Sequence, residues 1–266
     1  MRSVESIQAE LDDQYGELFS FALRVVVENR THADRWRDKE NETGVVLYHF
    51  AKAVNLLDAT RRLCHDGFAR EAISTSRSLF NLVVNLRWLT KPEVSSQRLN
   101  RFTDYEITSK ANNAMTLIKW DKNITEEQKR QQCALVRKIR PIAKELGINE
   151  GRNGMYLKWH PRIQDMAKDV DLLRDYHLTY KRLSQTEHTD PESVREYLKD
   201  DDGEVLMHGD VGPSTEYAPL VMIDSIRYFL NVKHDAAPLL GFEESQEELE
   251  EYVRLKEKYA DSLATC

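Results

Sequence analysis

The stretch YHLTYKRLSQTEH, which begins at Tyr176, carries the side chains best suited to chemistry. Four of these residues are spaced four positions apart: Tyr176, Tyr180, Ser184 and His188. On a helix this spacing places two phenols, a hydroxyl and an imidazole on one face, and the imidazole titrates near neutral pH. Arg182 lies six residues before His188, about 120° away around a straight helix. The two converge only if the helix kinks or frays, or if a second subunit supplies one of them.

The spacing of Arg182 and His188 resembles the Arg-x(4–6)-His signature of the HEPN superfamily, whose members are helical bundles and often metal-independent ribonucleases. The resemblance implies that His188 handles protons and that Arg182 stabilises charge on the phosphate, usually across a dimer interface. RNA cleavage by the 2′-hydroxyl needs such a base and such a fixed cation. The chain departs from the signature at Leu183, where a polar residue is usual. Alternatively, Tyr180, Ser184 and His188 form a hydrogen-bonded structural seam.

A longer set of motifs is shared with a second family. It comprises a small residue followed by Arg-Ser-Leu-Phe at 76–80, the Tyr-x3-Tyr-x3-Ser-x3-His run, and a proline just beyond the histidine. Over roughly residues 43–192 the chain is similar to a bacterial family known as domain of unknown function 5677. The position after Phe80, often acidic in that family, is Asn81 here. The resemblance implies a helical fold and, through the likeness of members to abortive-infection proteins, a role in phage defence.

A polar seam runs through the most apolar stretch, RSLFNLVVNLRWL, where Arg77, Asn81 and Asn85 are spaced by four. Breaking a buried ion pair costs about 3–5 kcal/mol, so we expect Arg77 to have a partner. The candidates are Glu71, Asp104, Glu106 or a tyrosine hydroxyl. The seam either fixes helix register or turns Arg77 toward a cleft with His188, where its fork binds phosphate. Four residues are therefore assigned to phosphate binding or to this network: Arg77, Asn81, Tyr180 and Ser184.

No metal or cofactor site is indicated. His208, Asp210 and the acidic run Asp200–Glu204 are rich in ligand atoms but lack the alternating ligands and closing glutamate of a calcium loop. No His-x3-His or HExxH pattern suggests zinc, and no glycine-rich phosphate loop or dinucleotide fingerprint occurs. We predict no metal and no cofactor.

The charge is unevenly distributed along the chain. The net charge of −7 argues against a general nucleic-acid binder, yet Lys119 to Arg182 holds fifteen lysine and arginine residues against nine aspartate and glutamate residues. The acidic residues concentrate at Asp200–Glu204 and near the C-terminal end. The basic middle is either a solvated surface or the place where an anionic partner docks. The predicted partners are RNA or a partner protein.

The compartment is indicated by what the sequence lacks. The three cysteines form no pattern, and the sequence has no signal-peptide pattern. It also has no apolar run near the ~18 residues of a membrane span. These observations predict a cytoplasmic protein without a membrane segment.

Helical periodicity predicts an all-α protein, a single bundle of about eight helices that forms a homodimer. The predicted helices cover 3–30, 43–65, 68–90, 98–120, 125–146, one or two after Pro161, 217–234 and 244–262. The helix at 68–90 has almost no polar face, which places it at the centre. We predict a core over residues 1–192 and a C-terminal helical extension, 193–266, packing on it.

Two functions of different classes fit these observations. The first is an HEPN-like, metal-independent RNA-cleaving effector in bacterial stress or phage defence, with His188 and Arg182 as its catalytic residues. The second is a non-catalytic helical interaction protein in which the polar seam is structural.

Overall fold

A computed structural model describes residues 2–34, 42–148, 151, 155–156, 161–180 and 212–260. These residues form helices and no β-strand, which confirms the all-α prediction. The helices are α1 (Val4–Asp34), α2 (Glu42–His65), α3 (Ala69–Leu89), α4 (Ser95–Trp120), α5 (Glu126–Glu145), α6 (Ile163–Asp169), α7 (Leu173–Asp175), α8 (Ala218–Leu240) and α9 (Gln246–Lys258). A π-helical turn, Tyr176–Tyr180, continues α7.

The chain divides into two compact units. The larger unit joins residues 1–88 to 163–266, and the smaller unit is the insertion 89–162. The sequence predicted a boundary near residue 192. That position lies outside the described residues, so the division into 1–192 and 193–266 stays a prediction.

The core of the larger unit is formed by α1, α2, α3 and α8. Each contributes aromatic and aliphatic side chains that are almost fully buried, among them Phe21, Phe50, Leu57, Phe80, Leu86 and Phe229. On α3 only Glu71 is exposed, as its near-absence of a polar face predicted. Burial of such side chains contributes about 1.5–3 kcal/mol each. Arg77, Asn81 and Asn85 are half-buried on this helix, so their polar groups lie in a largely apolar setting.

Gly67 lies in the turn that ends α2 and connects it to α3 in a helical hairpin, as the sequence predicted. Its φ of +86° is in the left-handed region that favours glycine. Its N–H donates to the carbonyl of Cys64 at 3.1 Å, and the next N–H, of Phe68, donates to Leu63 at 2.7 Å. This reversal fixes the direction in which α3 enters the core.

The smaller unit is built on the α4–α5 hairpin. Its buried cluster consists of Ala111, Ile139, Ala143 and Tyr156. Asn112 holds the backbone of Tyr156 at both ends, because its Nδ2 donates to the Tyr156 carbonyl at 3.2 Å and its Oδ1 accepts from the Tyr156 N–H at 2.8 Å.

The first turn of α5 carries the predicted capping box. Thr125 Oγ1 accepts from the N–H of Gln128 at 3.2 Å, and Gln128 Oε1 accepts from the N–H of Thr125 at 2.9 Å. The helix then continues through Pro141 to Glu145, although the proline was expected to disturb it.

Within the described residues, no helix combines the length and apolar character that crossing a membrane requires.

Candidate functional site

Three of the predicted site residues lie within the described structure, and three do not. Arg77 and Asn81 are on α3, and Tyr180 ends the π-helical turn after α7. Arg182, Ser184 and His188 lie outside the described residues, so their roles stay predictions.

The structure brings Arg77 and Tyr180 together from positions 103 residues apart in sequence. Arg77 Nη2 donates to the Tyr180 hydroxyl at 3.3 Å, and Arg77 Cζ lies 4.8 Å from the centroid of the Tyr180 ring. A guanidinium at this distance from an aromatic face is attracted by the ring quadrupole. A tyrosine hydroxyl was one of the partners expected for Arg77, and this contact supplies it.

Tyr180 belongs to a cluster of aromatic rings beside α3. Its ring stacks on that of Tyr176 with centroids 5.1 Å apart and planes at 23°. The π-helical turn favours this stack. Because a π-helix has more residues per turn than an α-helix, side chains four residues apart are more nearly aligned along the helix axis. Phe80 packs against Tyr180 at 5.2 Å and against Tyr228 of α8 at 5.4 Å. The cluster therefore fixes the position at which the chain leaves Tyr180 toward Arg182 and His188.

Asn81 lies one helical turn beyond Arg77 on α3. Its Oδ1 is buried and accepts no hydrogen bond from the described part of the chain. An unsatisfied buried acceptor costs about 1–3 kcal/mol, so this position favours a hydrogen-bond donor. The Arg77 guanidinium and the Tyr180 hydroxyl suit an anionic group, whereas the Asn81 oxygen suits a hydrogen-bond donor.

A second arginine, Arg227, contacts the ring cluster at Tyr228, with its Cζ 4.8 Å from the centroid of that ring. Arg227 Nη1 donates to Asp175 at 2.6 Å, and its Nη2 donates to the Tyr228 hydroxyl at 3.1 Å and lies 3.2 Å from Asp224. Burial opposes the charge of Arg227, but Asp224, Tyr228 and Asp175 raise its pKa above the usual value. Because Asp175 immediately precedes Tyr176, this ion pair anchors the π-helical turn to α8.

A third arginine forms a network that the sequence did not predict. Arg87 Nε donates to Asp235 at 2.9 Å, and its Nη2 donates to Asn231 at 3.0 Å. Burial raises the pKa of Asp235 above its usual value, with Arg87 opposing that shift. Arg87 belongs to the RSLFNLVVNLRWL stretch, but it lies off the Arg77–Asn85 seam and its partners are 144 and 148 residues away. Only the i, i+4 spacing of Asn231 and Asp235 hinted at a shared helical face.

No cluster of three or more metal-ligating side chains occurs among the described residues. The acidic run Asp200–Glu204, His208 and Asp210, which the sequence singled out as the ligand-rich segment, lies outside them.

The comparison with protein families agrees with the longer of the two resemblances. Residues 43–205 match the model of a "Family of unknown function (DUF5677)". The match covers more than half of the chain, which therefore belongs to this family. No curated protein and no solved structure matches the chain. The HEPN resemblance stays an expectation from the sequence.

Proposed function

We propose that the protein is an RNA-cleaving effector of HEPN-like type, in which His188 exchanges protons and Arg182 binds the phosphate without a metal. The observation that carries the proposal is the contact of Arg77 with Tyr180. It holds the guanidinium of half-buried Arg77 against Tyr180, which lies two residues before Arg182 and eight before His188 in sequence. A phosphate that reaches this region meets a cation whose fork is suited to it.

The chemistry of this proposal is acid–base catalysis on a phosphodiester. His188 removes the proton from the 2′-hydroxyl, which attacks the adjacent phosphorus, and a protonated group returns a proton to the leaving 5′-oxygen. Arg182, together with Arg77, stabilises the extra negative charge on the phosphate oxygens.

The proposal extends to the setting in which the enzyme acts. It includes a homodimer, because the active site of the HEPN superfamily, which the chain resembles, usually lies between two subunits. It also includes a cytoplasmic location and a role in bacterial stress or phage defence. Free thiols at Cys64 and Cys133 are compatible with a reducing compartment.

The test is incubation of the purified protein with bulk cellular RNA in the presence of a chelator. Wild type should cleave RNA. His188→Ala should lose at least the roughly 10²-fold that a general acid–base contributes, and Arg182→Ala the roughly 10²-fold or more that a group stabilising transition-state charge contributes. His234→Ala is the matched control, since it removes an exposed histidine that pairs with Glu244 on the surface. Inertness of wild type and all three variants alike would overturn the proposal.

A second candidate function is a non-catalytic interaction protein. It is favoured by the internal pairing of Arg87 with Asp235 and of Arg227 with Asp175, because paired charges that join helices are what a structural network requires. Under this alternative Tyr180→Phe lowers stability by about 1 kcal/mol, the value of one hydrogen bond, and wild type cleaves no RNA. RNA cleavage by wild type that His188→Ala abolishes would exclude it.

A further inference from the structure

The smaller unit differs sharply in charge from the rest of the chain. Residues 89–162 hold fifteen lysine and arginine residues against eight aspartate and glutamate residues, a formal charge of +7. The rest of the chain holds 23 against 37 and carries −14. A chain whose net charge is −7 therefore presents one compact unit that is strongly basic. Such a concentration of one sign attracts polyanions even when the whole protein is acidic.

The outer face of α5 carries a stripe of four exposed cations: Arg130, Arg137, Lys138 and Lys144. At 100° per residue these positions fall within about 120° of one another, opposite the buried Val136, Ile139 and Ala143. The stripe spans about 21 Å along the helix. None of the four makes an ion pair or a side-chain hydrogen bond with the described part of the chain. Exposed acidic residues occur on α5 only at its two ends.

An exposed aromatic side chain ends the helix that precedes this stripe. Trp120, the last residue of α4, is 70 % exposed, and five residues separate it from the start of α5. Lys119 Nζ lies 5.0 Å from its ring, so a cation accompanies the exposed indole. Leu117, in the same last turn, is 45 % exposed. A large ring held in water beside cations is the arrangement that stacks on an unpaired base.

We propose that the α4–α5 hairpin is a docking surface for single-stranded RNA, with phosphates along the α5 stripe and a base on Trp120. The surface differs from the proposed cleavage site in its residues, and binding to it does not depend on cleavage. The length of the stripe favours an extended polyanion over a small anion. The exposed indole favours a single strand over a duplex, because the bases of a duplex already stack on one another.

The experiment measures the affinity of the full chain for labelled oligouridine, longer than the roughly 4–16 nucleotides that one binding domain covers. It uses His188→Ala and a chelator, so that cleavage cannot consume the probe. Four phosphate contacts predict a slope of about −3 in log affinity against log salt between about 50 and 200 mM. Trp120→Ala should weaken binding roughly 5- to 150-fold.

Two double substitutions with the same change in net charge locate the surface. Arg137→Glu with Lys138→Glu should weaken binding more than about tenfold, because both cations become repulsive to phosphate. Lys168→Glu with Lys256→Glu changes two exposed cations of the larger unit and should alter binding less than about twofold. All four side chains are exposed, so unchanged helical content and melting temperature should accompany each result.

Three outcomes would overturn the proposal: no binding at low salt, equal weakening by both double substitutions, or a preference for duplex RNA or an acidic peptide over oligouridine. The cleavage test is separate from this one. Binding without cleavage would leave the surface in place and remove the enzyme, and cleavage without the α5 effect would do the reverse.

Discussion

Several arginines of the larger unit differ from two arginines of the smaller unit in how they are paired. In the larger unit, Arg87, Arg227 and Arg24 each meet a carboxylate on another helix. In the smaller unit, Arg130 and Arg137 on α5 meet none among the described residues. Paired charges between helices fix how those helices pack, whereas unpaired charges on one face remain available to a partner. The comparison indicates that these three arginines of the larger unit hold helices together, whereas Arg130 and Arg137 on α5 face solvent.

The most sensitive test of this comparison is to remove one arginine from each unit. Arg87→Met leaves the Asp235 carboxylate, whose side chain is 11 % exposed, without its cation. Losing one partner of a buried pair costs about 3–5 kcal/mol, and the partial exposure of Arg87 favours a loss of about 3 kcal/mol at pH 7. The matched change Arg137→Met should alter the free energy of unfolding by less than about 0.5 kcal/mol. Denaturant unfolding measures both, and equal losses would contradict the comparison.

The loss in free energy of unfolding caused by Arg87→Met, here called the deficit, should also depend on pH. The titration of Asp235 determines whether it grows or shrinks as the pH rises. Burial raises the pKa of Asp235, with Arg87 opposing the shift. A carboxyl whose pKa is raised by folding stabilises the protein below its unfolded pKa of about 3.9, and that contribution is lost as the pH rises through the folded value. Because removing Arg87 raises this pKa further, the deficit should be small in acid and grow toward neutral pH. A deficit independent of pH would argue against an ionised Asp235 as its cause.

The sequence predicted those features that short-range spacing determines. Helical periodicity predicted α1 to α5, α8 and α9. Thr125 and Gln128 predicted a capping box, and Gly67 predicted a helix end. The need of Arg77 for a partner predicted a tyrosine hydroxyl among the candidates, although not which tyrosine. Each of these depends on residues a few positions apart or on one polar group in an apolar helix.

Long-range pairing was beyond the sequence. Arg87 and Asp235 are joined only by the packing of α3 on α8, and one sequence without a fold gives no reason to pair them. The basic region was likewise placed at 119–182, whereas the compact basic unit is 89–162, because a charge count along the chain does not reveal which segments pack together. Arg182, Ser184 and His188 lie outside the described residues, so the catalytic part of the site stays a prediction.

Asp58 provides a second, smaller test of paired charge in the larger unit. Its carboxylate accepts from Arg30 at 2.7 Å, Arg61 at 3.0 Å and Arg62 at 3.1 Å. Burial alone would raise the pKa of Asp58, but the three guanidiniums lower it below its usual value. Asp58→Asn should lose about 2 kcal/mol at pH 7, the value of a charge-assisted hydrogen bond. Glu145→Gln on α5, an exposed carboxylate, should change stability by less than about 0.5 kcal/mol.

The pH dependence of Asp58→Asn should occur in a lower range than that of Arg87→Met. A carboxyl whose pKa is lowered by folding stabilises the protein above its unfolded pKa of about 3.9, and this contribution is lost as the pH falls through the folded value. The deficit of Asp58→Asn should therefore stay constant from neutral pH to about 5 and shrink only below about 3.9. Unfolding curves for wild type and variant across this range measure it, and a deficit that already shrinks near pH 6 would contradict the assignment.

The smallest effects compare a glycine from each unit. Gly67 in the larger unit and Gly147 in the smaller unit both follow a helix with positive φ, +86° and +70°. A Cβ at Gly67 would lie 2.6 Å from Pro213 Cβ and 2.8 Å from Ile7 Cγ2, whereas a Cβ at Gly147 meets nothing within 4 Å. Gly147→Ala should therefore cost only the backbone strain, about 1 kcal/mol. Gly67→Ala adds overpacking against two neighbours and should cost about 2 kcal/mol.

The measurement for this pair is denaturant unfolding of the two alanine variants beside wild type. A control within the larger unit is Gly16→Ala, because Gly16 lies inside α1 with nothing near its added Cβ. Alanine there should be neutral or stabilise the helix by up to about 1 kcal/mol. If Gly67→Ala cost no more than Gly147→Ala, the turn between α2 and α3 would have room to move. The close packing of Pro213 and Ile7 on that turn would then contribute little to fixing the entry of α3.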